Sequence, residues 1–491
     1  MEAVDGLLVD LLKEAVELPV VVGHGAWGRS GGLGDVADAD VGQAVGDDGA
    51  SRRCRQVCTL LVLQLRAGHG SPSLHRAVHG RASRYEEDTG RCRRPVLFVV
   101  AYEESPVTEV PVSDDRRRRR SVKPGARELG LPLPGVPGTN NAITDVPGVE
   151  VGAVTLVEGT GALTVGVGPV RTGVTVVLPR GRAGVGSACA AGTSVLNGNG
   201  EMTGAAFIEE AGLLDLPVVL TNSHAVGAGH RGVIDWVVAN VPRRADRWML
   251  PVVAETYDGY LNDINGEHVR AATVVRAIEE AAGGPVAQGS VGGGTGMCCY
   301  GFKGGTGTAS RLVTLADRSY TVGVLVQANF GAREELVVAG VPVGRALPGE
   351  DPRAGASVPA GAGSVIAVVA TDAPLLPGQC KALSRRVPLG LARTGTSGSH
   401  FSGDVFLTFS TGNEGGLGAD YPQPGTERLD TLTYVPWAFV DRFFDAVVQA
   451  VEEAVLNSLF VNNEMSGRDG HWMPALPVDQ VLDLVRAGRR P

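Results

Sequence analysis

A tract rich in Pro and Gly, Leu347 to Gly363, runs directly into Ser364, and Ser364 opens the run Val365-Ile366-Ala367-Val368-Val369-Ala370-Thr371-Asp372. Apolar, β-branched residues over that length predict a buried strand. A small-residue segment that delivers a serine to the first position of such a strand suits a peptide bond that must be bent, attacked and cut. If the Gly363–Ser364 bond breaks, Ser364 carries a hydroxyl nucleophile and an α-amino base on one residue, a recognised form of covalent catalysis. The competing reading is a loop that feeds an ordinary core strand.

A second strand-like segment follows about forty residues on, Ser402-Gly403-Asp404-Val405-Phe406-Leu407-Thr408-Phe409-Ser410-Thr411. Ser402 and Asp404 are two apart, and period-two spacing puts both side chains on one face. A hydroxyl and a carboxylate there form either a proton relay to a nearby nucleophile or a solvated polar face.

These two segments and Val326-Gln327-Ala328-Asn329-Phe330-Gly331 resemble the self-cleaving serine aminopeptidases, the family of L-aminopeptidase/D-esterases and β-peptidyl aminopeptidases. Further matching segments begin at Asn141 (Asn-Ala-Ile-Thr-Asp-Val-Pro-Gly-Val), Asn197 (Asn-Gly-Asn-Gly-Glu-Met-Thr-Gly), Leu220 (Leu-Thr-Asn-Ser-His), Glu255 (Glu-Thr-Tyr-Asp-Gly-Tyr-Leu-Asn-Asp), Val291 (Val-Gly-Gly-Gly-Thr-Gly-Met) and Met465 (Met-Ser-Gly-Arg-Asp-Gly-His). The resemblance runs from about Arg127 to the C-terminal end. Nine segments over roughly three quarters of the chain are far more specific than any one Gly-rich string.

The resemblance implies a role for each matching residue. Ser364 is the nucleophile, first on the Gly363 carbonyl and then on substrates. Its freed α-amino group, with a reference pKa of about 7.7–8.0, is the base. Gly363 permits a strained conformation and close approach. Ser402 and Asp404 fall on the Ser-x-acid pair beside the nucleophile, where the family form is most often Glu. Asn329 matches the oxyanion-hole asparagine, a donor able to take a few kcal/mol off the barrier; by position alone it is a turn-capping Asn. Tyr257 matches the tyrosine that hydrogen-bonds around the tetrahedral intermediate. Glu255, two residues earlier and expected on the same strand face, matches the acid that binds the substrate's free amino group. Asn222 and His224 are expected nearby without an assigned role.

Composition fits such an enzyme. The 491 residues suffice for two or three average domains. Hydrophobic residues at 43% can build a sizeable core, and a net charge of −9 speaks against a nucleic-acid partner. No run reaches the ~18 apolar residues of a membrane span. Seven cysteines without regular spacing point to reduced thiols rather than a disulfide framework; Cys298 and Cys299 read as small core residues. No zinc signature occurs, and no metal or cofactor is expected. The Gly292–Gly296 string fits neither the Walker nor the dinucleotide fingerprint and reads as a close-packed turn lining the substrate pocket.

The first ~125 residues differ in kind. Leu7, Leu8, Leu11, Leu12 and Val16 recur at helical spacing within Met1–Val22, after which the pattern dissolves into an acidic stretch, an Arg- and His-rich stretch and a five-arginine run, Arg116–Arg120. Residues 1–125 are expected to be a disordered extension or the product of a mis-assigned translation start, and the arginine run a solvated charge run rather than a binding patch. There is no secretory signal, which points to a cytoplasmic location.

From Arg127 on, strands are expected at Val149–Leu156, Val174–Leu178, Val218–Leu220, Trp248–Glu255, Tyr320–Ala328 and Val365–Ala370. Helices are expected at Gly232–Asn240, Val269–Ala282 and Phe439–Leu456, the last with Phe439, Phe443, Ala446, Val447, Ala450 and Val451 on one face. Such a mixture indicates layered α/β or α+β packing. The resemblance implies a four-layer αββα sandwich like that of N-terminal-nucleophile hydrolases, cut into chains 126–363 and 364–491 that assemble as a homotetramer. The function implied is release of N-terminal L-, D- or β-residues from small peptides, amides or esters. The rival is a non-enzymatic nucleotide- or small-molecule-binding module built on the Gly-rich loops.

Overall fold

Apolar strands, most of them buried along their whole length, assemble two stacked sheets. The computed structural model describes residues 123–354, 359, 361–418, 421, 424–425 and 427–488, and the backbone of two short strands, Thr59–Leu61 and Leu97–Val99. Those two strands pair in parallel within a separate unit, Met1–Arg118. The helical pattern of Met1–Val22, Cys54, Cys58 and Arg116–Arg120 lie outside the described residues.

In the unit Arg119–Pro491 the principal strands are β1 (Glu150–Glu158), β2 (Val170–Leu178), β3 (Cys189–Gly198), β4 (Val218–Asn222), β5 (Val252–Thr256), β6 (Gly305–Leu315), β7 (Arg318–Asn329), β8 (Gly363–Thr371) and β9 (Ser402–Ser410). The principal helices are α1 (Val226–Asn240), α2 (Ala271–Glu279), α3 (Pro377–Ser384), α4 (Val387–Arg393), α5 (Asp441–Phe460) and α6 (Val478–Gly488). The smaller sheet has the order β1-β2-β4-β5. The larger has the order β6-β7-β8-β9-β3, with Leu213–Leu214 at its edge. β8 therefore runs through the middle of the larger sheet, antiparallel to β7 and parallel to β9.

Three apolar layers hold the stack. Leu220, Val252 and Ala254 of the smaller sheet meet Leu325, Ile366, Val368, Val405 and Leu407 of the larger. α1 and α2 cover the outside of the smaller sheet through Val233, Trp236, Val274 and Ile278. α3 and α5 cover the outside of the larger sheet, where Val365, Ala367 and Val369 point, with α4 packed on α5 and α6 joining the same apolar cluster. The result is the four-layer αββα sandwich. β8 is buried on both faces because each face has its own apolar layer, so its sequence reads as a continuous hydrophobic run.

Several expected boundaries shift for physical reasons. The strand expected from Trp248 begins at Val252, because Pro251 lacks the N–H a ladder needs, and Trp248 is 79% exposed. The first helix starts earlier than expected, at Val226, behind a turn capped by the Asn222 side chain. α2 is shorter than expected. α5 runs four residues further, and Phe439 is not on its buried face: it sits in a 3₁₀ turn, 46% exposed, while Phe443, Ala446, Val447, Ala450 and Val451 are buried. Cys298 and Cys299 are buried free thiols, as expected of core residues. Among the described residues no helix is long and apolar enough to cross a membrane, and no cluster of His, Cys, Asp and Glu could hold a metal ion.

Candidate active site

Strand pairing assembles the site at one end of β8. Ser364 lies directly opposite Asn329 of β7 and opposite Gly403 of β9. Its side chain alternates with Ile366 and so faces the smaller sheet, the same face on which Gln327 reaches across to the Thr221 carbonyl and the Thr256 hydroxyl. Asn329 alternates with Gln327 and shares that face. Ser364 is buried, and its hydroxyl donates to the Gly363 carbonyl oxygen at 2.6 Å. The hydroxyl and the carbonyl belong to neighbouring residues and already touch.

Gly363 has an ordinary backbone φ, outside the left-handed region. The strained conformation expected for it is absent, and close approach alone explains the glycine. A side-chain carbon built there would lie 1.8 Å from the Asn329 carbonyl oxygen.

Asn329 is held from both ends of its amide. Its Oδ1 accepts from the Cys298 N–H at 2.8 Å, and one Nδ2 hydrogen goes to the Tyr257 carbonyl at 2.9 Å. The other meets no acceptor among the described residues. Tyr257 thus reaches the site first through its main chain. It lies one residue past the end of β5, 46% exposed, with its ring edge-on to His224 at 6.5 Å between centroids. Glu255 is inside the strand and buried, so the two do not share a regular strand face as expected; β5 ends at Thr256, between them.

The Glu255 carboxylate is fixed by two donors, the Glu201 N–H at 2.9 Å and the Ser223 hydroxyl. Glu201 follows Gly200, which packs against Gly403 across from Ser364, so one short segment links Glu255 to the nucleophile's strand neighbour. Beside it opens a cavity of about 550 Å³ lined by polar side chains that include Asn222, His224, Asp263, Asn265 and His268.

Ser402 and Asp404 bracket the junction from the parallel neighbour: Ser402 pairs with Gly363 and Asp404 with Val365. The Ser402 hydroxyl donates to Asp404 Oδ1 at 2.6 Å, and Asn197 Nδ2 donates to Asp404 Oδ2 at 2.8 Å. Burial pushes the Asp404 carboxyl above the usual carboxylate range, against hydrogen bonds from Ser402, Asn197 and the Val365 main chain. Asn197 and Ser223 are site residues that sequence reasoning left without a role. Both stand inside the matched segments, and that membership was the available signal.

The Gly292–Gly294 turn is buried between the sheets, as a close-packed turn should be. Its N–H groups are consumed: Gly292 donates to the Thr155 hydroxyl, Gly293 to the Thr175 hydroxyl and Gly294 to the Val291 carbonyl. These three N–H groups are spent within the fold and cannot cradle a phosphate, which weakens the support for a nucleotide-binding module on this turn.

The chain matches the model of peptidase family S58 over residues 141–473. It is 48% identical over 379 residues to the β-peptidyl aminopeptidase BapA of Sphingosinicella microcystinivorans, covering 75% of this chain and 93% of that protein. The solved structure of a Burkholderia sp. β-aminopeptidase superposes with a TM-score of 0.68 at 46% identity, over 75% of this chain and all of that one. The L-aminopeptidase D-Ala-esterase/amidase of Ochrobactrum anthropi, described as a variant of the Ntn-hydrolase fold, gives a TM-score of 0.69 at 43% identity, over 75% of this chain and 99% of that one. With these matches spanning β1 to β9 and every segment that builds the Ser364 site, the chain belongs to peptidase family S58, the serine aminopeptidases.

Proposed function

We propose that this aminopeptidase makes its own nucleophile by cutting the Gly363–Ser364 bond, and then releases N-terminal residues from small peptides, amides or esters. The observation that carries the reading is the Ser364 hydroxyl at 2.6 Å from the Gly363 carbonyl oxygen, directly across from Asn329.

In the first reaction Ser364 Oγ adds to the Gly363 carbonyl carbon. The C–N bond breaks, the hydroxyl proton ends on the Ser364 nitrogen, and an ester forms. Water hydrolyses that ester, leaving a carboxylate on Gly363 and a free amine and hydroxyl on Ser364. The free Nδ2 hydrogen of Asn329 suits the oxyanion of both reactions. The Ser402–Asp404–Asn197 triad, set against residues 363 and 365, suits the task of holding the new α-amino group and moving its proton. In the second reaction the amine takes the proton of Ser364 Oγ as it attacks a substrate carbonyl, and later returns it to the leaving group.

Glu255 presents a fixed carboxylate near this centre, the complement of a substrate ammonium, which makes the enzyme an exopeptidase. Tyr257, edge-on to His224, suits a hydrogen bond around the tetrahedral intermediate. The relatives' names span β-, L- and D-residues, and we assign amides or esters of L-, D- or β-residues as substrates, to be ranked by turnover of β-alanine, L-alanine and D-alanine p-nitroanilides. The chains 126–363 and 364–491 stay associated and form a homotetramer, with exposed Trp248, Leu429 and Trp437 among the surfaces available to cover. The deciding experiment is a denaturing gel with N-terminal sequencing. Wild type should yield a fragment that begins at Ser364, and Ser364→Ala a single uncut, inactive chain. A fully active, uncut wild type would end the maturation scheme.

A further inference from the structure

Lys303 is buried in the core beneath the site, and among the described residues it makes no ion pair. Its ammonium is held by main-chain carbonyls instead: Nζ donates to Met297 and to Gly304, both at 2.7 Å. A charge left in the core with neutral acceptors alone is costly, so its placement calls for a reason. The Met297 carbonyl and the Cys298 N–H are two ends of one peptide group. That N–H donates at 2.8 Å to Asn329 Oδ1, and Asn329 Nδ2 is the donor that faces the Ser364 site. An unbroken series thus runs from the ammonium through the 297–298 peptide and the Asn329 amide to the free Nδ2 hydrogen. Each group in such a series polarises the next, and a charge at its head strengthens the donor at its tail.

We propose that Lys303 is a positioning residue of the oxyanion site, one that orients the 297–298 peptide and polarises the Asn329 amide so that its free hydrogen bonds a developing oxyanion more strongly. The proposal rests on the oxyanion role read for Asn329 above. Burial pulls the Lys303 ammonium down to about 8, with Cys298, Asp258 and Cys299 opposing. A methionine of the same length would keep the packing and lose the charge, and the peptide would lose its anchor. The arrangement is also local: Lys303 pairs with Cys298 across a two-residue hairpin, so the anchor and the peptide it holds move together.

The test is a double-mutant cycle in the full-length chain, with turnover of alanine p-nitroanilide normalised to the fraction of cut chain. Asn329→Ala alone should lower kcat about a hundredfold or more; an unchanged kcat there would remove the oxyanion reading itself, whatever Lys303 does. Lys303→Met should lower kcat roughly tenfold with KM within about twofold, since polarisation matters only where charge develops. In the Asn329→Ala background the same substitution should change kcat by less than about twofold. An equal loss in both backgrounds, or none in either, overturns the relay. Because Lys303→Met also strands two buried carbonyls, Lys303→Arg and Lys303→Gln are compared for rate of self-cleavage. The charged variant should cut at least about fivefold faster, and equal rates would overturn the proposal.

Discussion

Gly363→Ala adds one methyl group to the residue whose carbonyl is the target in the proposed self-cleavage. That methyl carbon would start 1.8 Å from the Asn329 carbonyl oxygen, whereas ordinary contact begins at 3.4 Å. The obstacle is main chain, paired through the β7–β8 ladder, so it cannot rotate aside. One of the two strands must retreat by about 1.6 Å, within a core packed like a crystal. The displacement falls between Asn329 and Ser364, the pair that must act together. Misplacement on the order of 1 Å costs about a hundredfold in a positioned reaction, so self-cleavage should slow by at least about that factor. The hydroxyl and the carbonyl it attacks both remain, so the loss would be purely geometric. The assay is a time course of full-length chain on a denaturing gel, with intact mass, against wild type and an Ala362→Gly control that should cut normally. Once cut, residue 363 is a chain end and free to move, so kcat per matured chain should return close to wild type. If Gly363→Ala cuts at the wild-type rate, the reason given for the glycine is wrong.

Three further outcomes follow from the same structure. Glu255→Gln should lower kcat/KM about ten- to a hundredfold, the equivalent of about 1.5–3 kcal/mol for a hydrogen bond to a charged group, while maturation continues; equal hydrolysis of N-acetylalanine and alanine amides would show that Glu255 holds no ammonium. A chain starting at Lys123, whose ammonium caps the Asn462 carbonyl at 2.7 Å, should fold, mature and retain activity; loss of soluble protein would give the earlier residues a structural part. Glu453 is buried and accepts from Arg127, Arg311 and Asn141, so Glu453→Gln should cost about 3–5 kcal/mol in thermal or denaturant unfolding by leaving Arg311 unpaired in the core. Burial pushes the Glu453 carboxyl up, but those partners hold it below its usual 4.5. Its folded form therefore stays ionised where the unfolded chain is already protonated, and this part of the stability is complete above pH 4.5 and fades as the pH falls below it. A variant with the same acid profile as wild type would refute that assignment.

β8 was legible in the sequence because it is apolar over nearly its whole length, and α5 because Phe443, Ala446, Val447, Ala450 and Val451 recur at helical spacing. β6 was not, although it has 11 residues: its run Gly-Thr-Gly-Thr-Ala-Ser reads as a turn. The small residues are there because α5 lies against them, and a side chain at Gly307 would strike the Ala454 carbonyl. Small residues hide β3 in the same way. Within the site, Ser364, Asn329, Ser402 and Asp404 could be named because they sit in segments resembling a family. Asn197, Ser223 and Lys303 reach the site through other residues, Asn197 by Asp404, Ser223 by Glu255 and Lys303 by the Met297 carbonyl. No local spacing encodes such contacts. Tyr257 shows the opposite failure: period-two reasoning carried the strand one residue too far.

The central place of β8 in its sheet has a consequence for how the protein can be lost. Before the cut, unfolding and refolding concern one chain, and recovery does not depend on concentration. Once the proposed cut at Gly363–Ser364 is made, the segment from Ser364 onward holds two inner strands and the helix that seals them, joined to the remainder by noncovalent contacts alone, the β7–β8 and β9–β3 ladders among them. If the pair comes apart, recovery becomes a meeting of two incomplete chains, each with a bare sheet edge and exposed apolar surface. The mature protein then depends on how slowly it opens rather than on how often it would close again. Its lifetime is set by an unfolding rate that rises steeply with temperature.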